Sequence, residues 1–359
     1  MDGLREKLGQ MIMVGCPGER IGLAERVIFE EYGFGGFILF KHNCGAPRQI
    51  HSLCRSLWNG AADQPPLIAI DQEGGAVHRL PHPFTHFPTA AEIGARQDAD
   101  LAYRAGRASA AELALVGINL NFAPVLDVNS NPLSPIIGAR AFGADPRSVS
   151  IMASAWARGL REGDVIPCGK HFPGHGGTDE DSHFALPVID KSLAELQAVE
   201  LPPFIDACRG GIEALMTAHV KFTALDPSHM ATLSEPIITG LLRHQLGFDG
   251  VVFSDDMEMK AISDHYDAGA AAALALRAGV DMMLFCHDLA KAVAALEFLY
   301  GEAEHSPALR AQVEASQRRI GDLKQRWLKA FSGAADDAVE ERLARLDHRR
   351  IVAEIHGSL

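Results

Sequence analysis

Eight short apolar runs separated by amphipathic stretches limit what this chain can fold into more than any other feature. They are "QMIMVG", "GGFILF", "PLIAID", "INLNFAPVLDV", "VIPCGKHF", "ALMTAHV", "GVVFSD" and "VDMMLFC". Each is nearly continuous in hydrophobicity, as a parallel strand covered on both faces must be. Between them lie stretches with helical spacing, among them "GLAERVIFEEY", "DADLAYRAGRASAAELALVG", "RSVSIMASAWARGLREG" and "SLAELQAVELPPFIDACRGG". Several close on glycine, a residue that ends helices. Strand–helix alternation repeated eight times predicts an α/β fold, a (β/α)8 TIM-type barrel. The alternative is an open doubly wound sheet. No GxGxxG or Walker-type loop follows the first strand, which weakens the dinucleotide-binding form of that alternative.

The barrel is expected over residues 1–305, as a single catalytic domain. From 306 to 359 the chain reads as charged helix, "ALRAQVEASQRRIGDLKQRWLKAF" and then "DDAVEERLARLDHRRIVAEI". This C-terminal extension is expected to pack on the barrel, since no Pro/Gly/Ser linker separates it. A net charge of −13 argues against nucleic acid or an anionic membrane as partner. The six cysteines are scattered, with no CxxC pair, and read as free thiols of a reducing compartment. The start, "MDGLREKLGQMIMVG", has no apolar run of signal-peptide length, and no window approaches the ~18 apolar residues of a membrane span. A cytoplasmic location is expected. Nothing in the sequence sets the oligomeric state, and a monomer fits it.

Polar residues cluster where each strand hands over to its loop: Asp71, Asp127, Lys170, His171, His219, Asp255 and Asp256. In a barrel these ends form one rim, where active sites are built. Helix capping would account for Asp127 or Asp264, but not for Asp71, Lys170 and His171 together. Asp255, next to a buried-looking strand, is placed to be a nucleophile or general base, or else a structural cap or ion-pair partner.

The run "KHFPGHGGTDEDSH", Lys170 to His183, admits three readings. His171, His175 and His183 could gather a zinc ion, although their spacing fits no standard zinc pattern. A phosphate loop would need the order strand–GxxxxGK[ST]–helix, which is missing. As a catalytic loop it offers Asp181 and His183, two residues apart. A carboxylate that close to an imidazole fixes its tautomer and raises its basicity. An unperturbed pKa of roughly 6.5 then suits proton transfer near neutrality.

Six runs, "IDQEGGAVHRL", "NLNFAPVLDV", "IIGARAFG", "KHFPGHGGTDEDSH", "LMTAHV" and "VVFSDDMEM", come in order from residue 70 to about 260. Together they resemble glycoside hydrolase family 3, in particular its single-domain β-N-acetylhexosaminidases of bacterial cell-wall recycling. The resemblance implies a retaining hydrolysis that removes β-linked N-acetylglucosamine from muropeptides such as GlcNAc-1,6-anhydro-MurNAc. It makes Asp255 the nucleophile, His183 the acid/base and Asp181 its dyad partner. It also sets Asp71, Arg79, Arg140, Lys170 and His171 around the sugar, and calls for no metal and no cofactor. Ala76 departs from the arginine usual in "DQEGGRVxR", so contacts near that loop are expected to differ. The "GTDE" stretch is more acidic than usual. Relatives that take an acid/base carboxylate from a second, sandwich domain need more chain than follows the eighth strand here. The alternatives are a β-N-acetylglucosaminide phosphorylase or another family 3 β-glycosidase. From other classes come a metal-dependent hydrolase and a non-catalytic sugar-binding barrel.

Overall fold

The structure, a computed structural model, describes residues 3–61, 64–134, 136–178, 186–335 and 338–358. Each of the eight apolar runs holds a strand: β1 Ile12–Gly15, β2 Gly36–Leu39, β3 Leu67–Ile70, β4 Leu120–Asn121, β5 Ile166–Phe172, β6 Ala214–Thr217, β7 Val251–Asp256 and β8 Met282–Phe285. They pair in chain order, all parallel, into a closed barrel. Closure comes from β8 against β1, with Ile12 opposite Met283 and Val14 opposite Phe285. An open sheet has no such pairing.

Every residue of β2, β3, β5, β6 and β8 is buried, because other barrel side chains cover one face and helices the other. Inside, Phe122 and Phe253 meet edge to face at 5.4 Å between ring centroids. Where β1 ends, a Cβ on Gly15 would sit 1.9 Å from the Cys286 carbonyl oxygen. That close approach brings the turn after β8 directly beside β1.

The helices follow their caps. Asp98 accepts the Asp100 and Leu101 N–H groups ahead of the helix Ala99–Leu115, and Asp145 accepts that of Ser148 ahead of Pro146–Glu162. "SLAELQAVELPPFIDACRGG" reads as one amphipathic stretch but folds as two helices, Leu193–Ala198 and Pro202–Arg209. The adjacent prolines Pro202 and Pro203 have no N–H to continue the first, and Pro202 starts the second instead. A two-stranded parallel pair, Val188–Ile189 with Lys221–Phe222, lies outside the eight runs.

Beyond β8 and the helix Leu289–His305 come Pro307–Trp327, Val339–Arg345 and Arg349–His356. Pro307–Trp327 reaches the N-terminal end of the barrel. Its Ser316 and Arg319 bond Asp281, just before β8, and its Lys324 Nζ lies 2.6 Å from Gln10 Oε1, just before β1. All six cysteines are free thiols. Among the described residues no helix is long and apolar enough to cross a membrane.

Candidate active site

At the opposite end, β3 runs directly into Asp71 and the loop 72–80. Gly74 and Gly75 turn that loop with φ of 101° and 55°. A Cβ on Gly74 would also lie 2.4 Å from the Pro88 carbonyl oxygen, so this turn demands glycine. The loop is pinned to β4 by two bonds between Gln72 and the Asn121 side chain, at 3.0 and 2.9 Å. Gln72 Oε1 in turn accepts the Arg79 N–H at 2.9 Å. Asp71, Glu73 and Arg79 are thereby fixed relative to the strand ends.

Lys170, on β5, places Nζ 2.7 Å from Asp71 Oδ1 and 2.6 Å from Glu73 Oε1. Arg140 grips the same Glu73 as a fork, at 2.9 and 2.8 Å. Burial alone would push the Glu73 carboxyl up, but the Arg140 and Lys170 charges together hold it well below the usual carboxylate range. Burial would likewise lower the Lys170 ammonium, and Asp71 and Glu73 outweigh it, so its pKa is raised. Both cations stay charged. Arg79 lies 3.8 Å from Asp71.

Asp127 caps no helix. It is fully buried, accepts the His175 N–H at 2.7 Å and takes the His171 ring Nδ1 at 2.7 Å. An ionised carboxylate only accepts, so the proton sits on His171 Nδ1. Burial pushes Asp127 up, and the His171 charge and bond more than reverse it. His175 bonds Thr178 Oγ1 through Nδ1 at 2.9 Å, and burial followed by His171 pushes its pKa down to about 4. It is therefore neutral near pH 7. Among the described residues no group of three His, Cys, Asp or Glu is arranged to hold a metal ion. His183, the third histidine of the zinc reading, and Asp181 lie outside the described residues.

Asp255 is near the end of β7, its Oδ1 accepting the Asp256 N–H at 2.8 Å. Burial raises its pKa, but His171, His219, that N–H and Lys170 lower it below the usual value. Its neighbour Asp256 goes the other way, up to about 6, driven by burial, which together with the Glu258 and Asp255 charges outweighs the bond it accepts from the Glu258 N–H. Two adjacent carboxyls with pKa values pushed apart leave Asp255 the dependable anion. His219 steadies the pair, with Nε2 3.0 Å from the Asp256 carbonyl oxygen and Nδ1 2.7 Å from Thr232 Oγ1.

Asp71, Arg79, Arg140, Lys170, His171 and Asp255 line one cavity of about 840 Å³ including its mouth. They come from β3, β5, β7 and the loops between, up to 184 residues apart in sequence and joined only by barrel closure. Ala76 sits exposed on the tight Gly74–Val77 turn, with no side chain long enough to reach the cavity. The sequence reading missed Glu73, although it lies in the quoted "IDQEGG". Asking which anion neutralises both Lys170 and Arg140 would have pointed to it.

A closed α/β barrel with such a pocket at the carboxyl ends of its strands is an enzyme scaffold. The chain belongs to glycosyl hydrolase family 3: residues 3–323 match the Glycosyl hydrolase family 3 N terminal domain, which makes it a glycosidase. A β-hexosaminidase of Pseudomonas aeruginosa is 37% identical over 324 residues, 89% of this chain and 96% of that one. Among solved structures, a family 3 β-N-acetylglucosaminidase from a Paenibacillus species is 39% identical with a TM-score of 0.88. That match covers 96% of this chain and 68% of that one. A β-N-acetylhexosaminidase from Beutenbergia cavernae is 31% identical with a TM-score of 0.84, over 90% of this chain and 98% of that one.

Proposed function

We propose that this glycosidase is a retaining β-N-acetylglucosaminidase acting on peptidoglycan-derived fragments such as GlcNAc-1,6-anhydro-MurNAc. The observation that carries the reading is the Asp255 carboxylate, which shares one cavity with the cations Arg79, Arg140 and Lys170 and the acids Asp71 and Glu73, beside apolar side chains such as Ile38, Ile136 and Met216. In the first step an Asp255 oxygen attacks the anomeric carbon and the bond to the leaving oxygen breaks. His183, positioned by Asp181, gives that oxygen a proton. In the second step His183 takes a proton from water, the water oxygen bonds the anomeric carbon, and Asp255 leaves as the carboxylate. A histidine here does the work for which retaining glycosidases ordinarily use a second carboxylate.

Asp71 is suited to accept from sugar hydroxyls. Arg79, Arg140 and Lys170 are suited to donate to further hydroxyls and to the acetamido oxygen, and His171, with its Nδ1 proton held by Asp127, is suited to accept from a hydroxyl through Nε2. Because Lys170 and Arg140 share Glu73, the donors are held in place before substrate arrives. Little reorganisation is then left for the transition state.

The test uses p-nitrophenyl β-N-acetylglucosaminide and the matching β-glucoside, with chelator present, followed by NMR of the first-formed sugar. Cleavage of the acetamido sugar with β-configuration in the first product is expected. A mechanism-based fluorosugar should label the peptide carrying Asp255. First-formed α-product, or label on another residue, would overturn the assignment. Phosphate-stimulated turnover yielding a sugar 1-phosphate would replace water by phosphate as acceptor.

A further inference from the structure

The polar end of the cavity gives way at its mouth to aromatic rings that the chemistry above does not use. Phe40, just after β2, and His287, just after β8, both line the cavity. Their rings stack at 5.6 Å with a tilt of 28°, and His42 lies parallel to Phe40 on a 6.1 Å spacing. His287 is the outer leaf, with its side chain 65% exposed.

A side chain that open is ordinarily free to move, yet this one is held from three directions. The Glu258 carboxylate accepts the backbone N–H groups of His287 and Asp288 at 2.6 and 3.1 Å, fixing the turn. Asp256 lies 3.4 Å from the ring Nε2. Phe40 backs its face. His42 is tied as well, with Nε2 3.1 Å from the Cys16 carbonyl oxygen at the end of β1. Ordering an exposed side chain costs conformational entropy, and His287, 65% exposed, buries little of itself in return.

The stack is also continuous with the sugar-binding end. Arg79 reaches Asp71 at 3.8 Å and sits 6.0 Å from the Phe40 ring centroid. A sugar held by Asp71 and Arg79 therefore has the stack as its neighbour toward solvent. Resting on the glycosidase reading above, we infer that His287, backed by Phe40, is the aglycone platform: the leaving pyranose lays its C–H face on the imidazole. Rigid aromatic faces with a polar edge suit a ring that is apolar on its faces and hydroxylated round its rim. The Asp256 carboxylate lies at the ring edge and that of Glu258 at the backbone beneath it, so the platform favours a sugar face over an anionic group. Aglycones that offer a flat saccharide ring are selected, and compact ones gain nothing from it.

The experiment compares kcat/KM on a β-linked GlcNAc disaccharide with that on N-acetylglucosaminyl β-fluoride, whose leaving group is too small to touch the platform. His287→Ala should lower the disaccharide value about tenfold, leave the fluoride value within about twofold, and recover most of the loss as His287→Phe. Equal losses on both substrates would mean that His287 acts through Asp256 on the chemistry, and would overturn the platform. So would an unchanged disaccharide rate, or a phenylalanine no better than alanine. A wild-type enzyme that cleaves the fluoride while position 287 proves indifferent leaves the hydrolase standing without the platform. A wild type inert on both substrates overturns both.

Discussion

Two networks of buried charge sit at opposite ends of this barrel, and they are built differently. At the N-terminal end Asp281 is fully buried and surrounded. Its Oδ2 accepts the Val252 N–H at 2.8 Å and Arg243 at 2.5 Å, and its Oδ1 accepts Ser316 at 2.8 Å and Arg319 at 3.1 Å. Every direction from that carboxylate is spent on the protein itself. At the other end Glu73 joins Lys170 to Arg140, and all three still line an open cavity. The first arrangement ties the helix Pro307–Trp327 and the segment before β8 to the barrel floor. The second holds donors rigid while leaving them a face to offer a ligand. Burial of charge thus marks structure at one end and, on the function proposed above, binding at the other, and what separates the cases is an unfilled side.

The contrast is sharpest at Asp255, which has the cavity on one side and one backbone N–H on its own oxygen. Asp255→Ala should lower kcat by on the order of 10⁴-fold or more, because the proposed covalent route is removed. Its urea midpoint should barely move. A variant that unfolds as readily as one altered at the barrel floor would make Asp255 a structural residue.

The next effects form a matched pair. Glu73→Gln keeps the shape but removes the charge that aligns Lys170 and Arg140, and misplaced donors cost about 10²-fold in kcat/KM. Asp281→Asn leaves Arg243 and Arg319 short of a buried counter-charge, which costs about 3–5 kcal/mol of stability. Activity per folded molecule should be unchanged in the second variant and low in the first. Unfolding by urea and titration of active sites with the fluorosugar separate the two quantities. Should both variants lose activity per folded molecule alike, the division between the two ends is wrong.

Much of this was legible in the sequence, for physical reasons. A parallel strand covered on both faces must be apolar throughout, so eight such runs announced the barrel. Charges at their ends then announced the rim, because the interior could not hold them. Asp71, Lys170, His171 and Asp255 were visible on that ground alone, whereas Arg79 and Arg140 needed the family resemblance. Asp127 was open to a capping reading because an acid at a strand end has several uses, and only the fold brings His171 and His175 to it. Phe40 and His287 could not be paired at all. They are 247 positions apart, and what joins them is the closure of β8 onto β1 beside Gly15.

The smallest expected effect concerns pH, and it tests whether Glu73 is as tightly held as its bonds imply. Its pKa in the folded protein lies below the ordinary value of about 4.3 that it regains on unfolding. Above that value both states are ionised and the stabilisation is fully present. As pH falls below it, the unfolded chain takes up a proton that the folded one refuses, so stability is lost. The loss approaches about 1.4 kcal/mol per pH unit for one proton. Glu73→Gln has no such proton, so its stability should fall less steeply between about pH 4 and pH 3. Asp127 and Asp255, whose pKa values are also lowered, keep their share of the slope in both proteins. Urea unfolding at stepped pH measures the difference. Parallel slopes in wild type and variant would mean that Glu73 titrates normally, and its two cations would then be balanced mainly by Asp71.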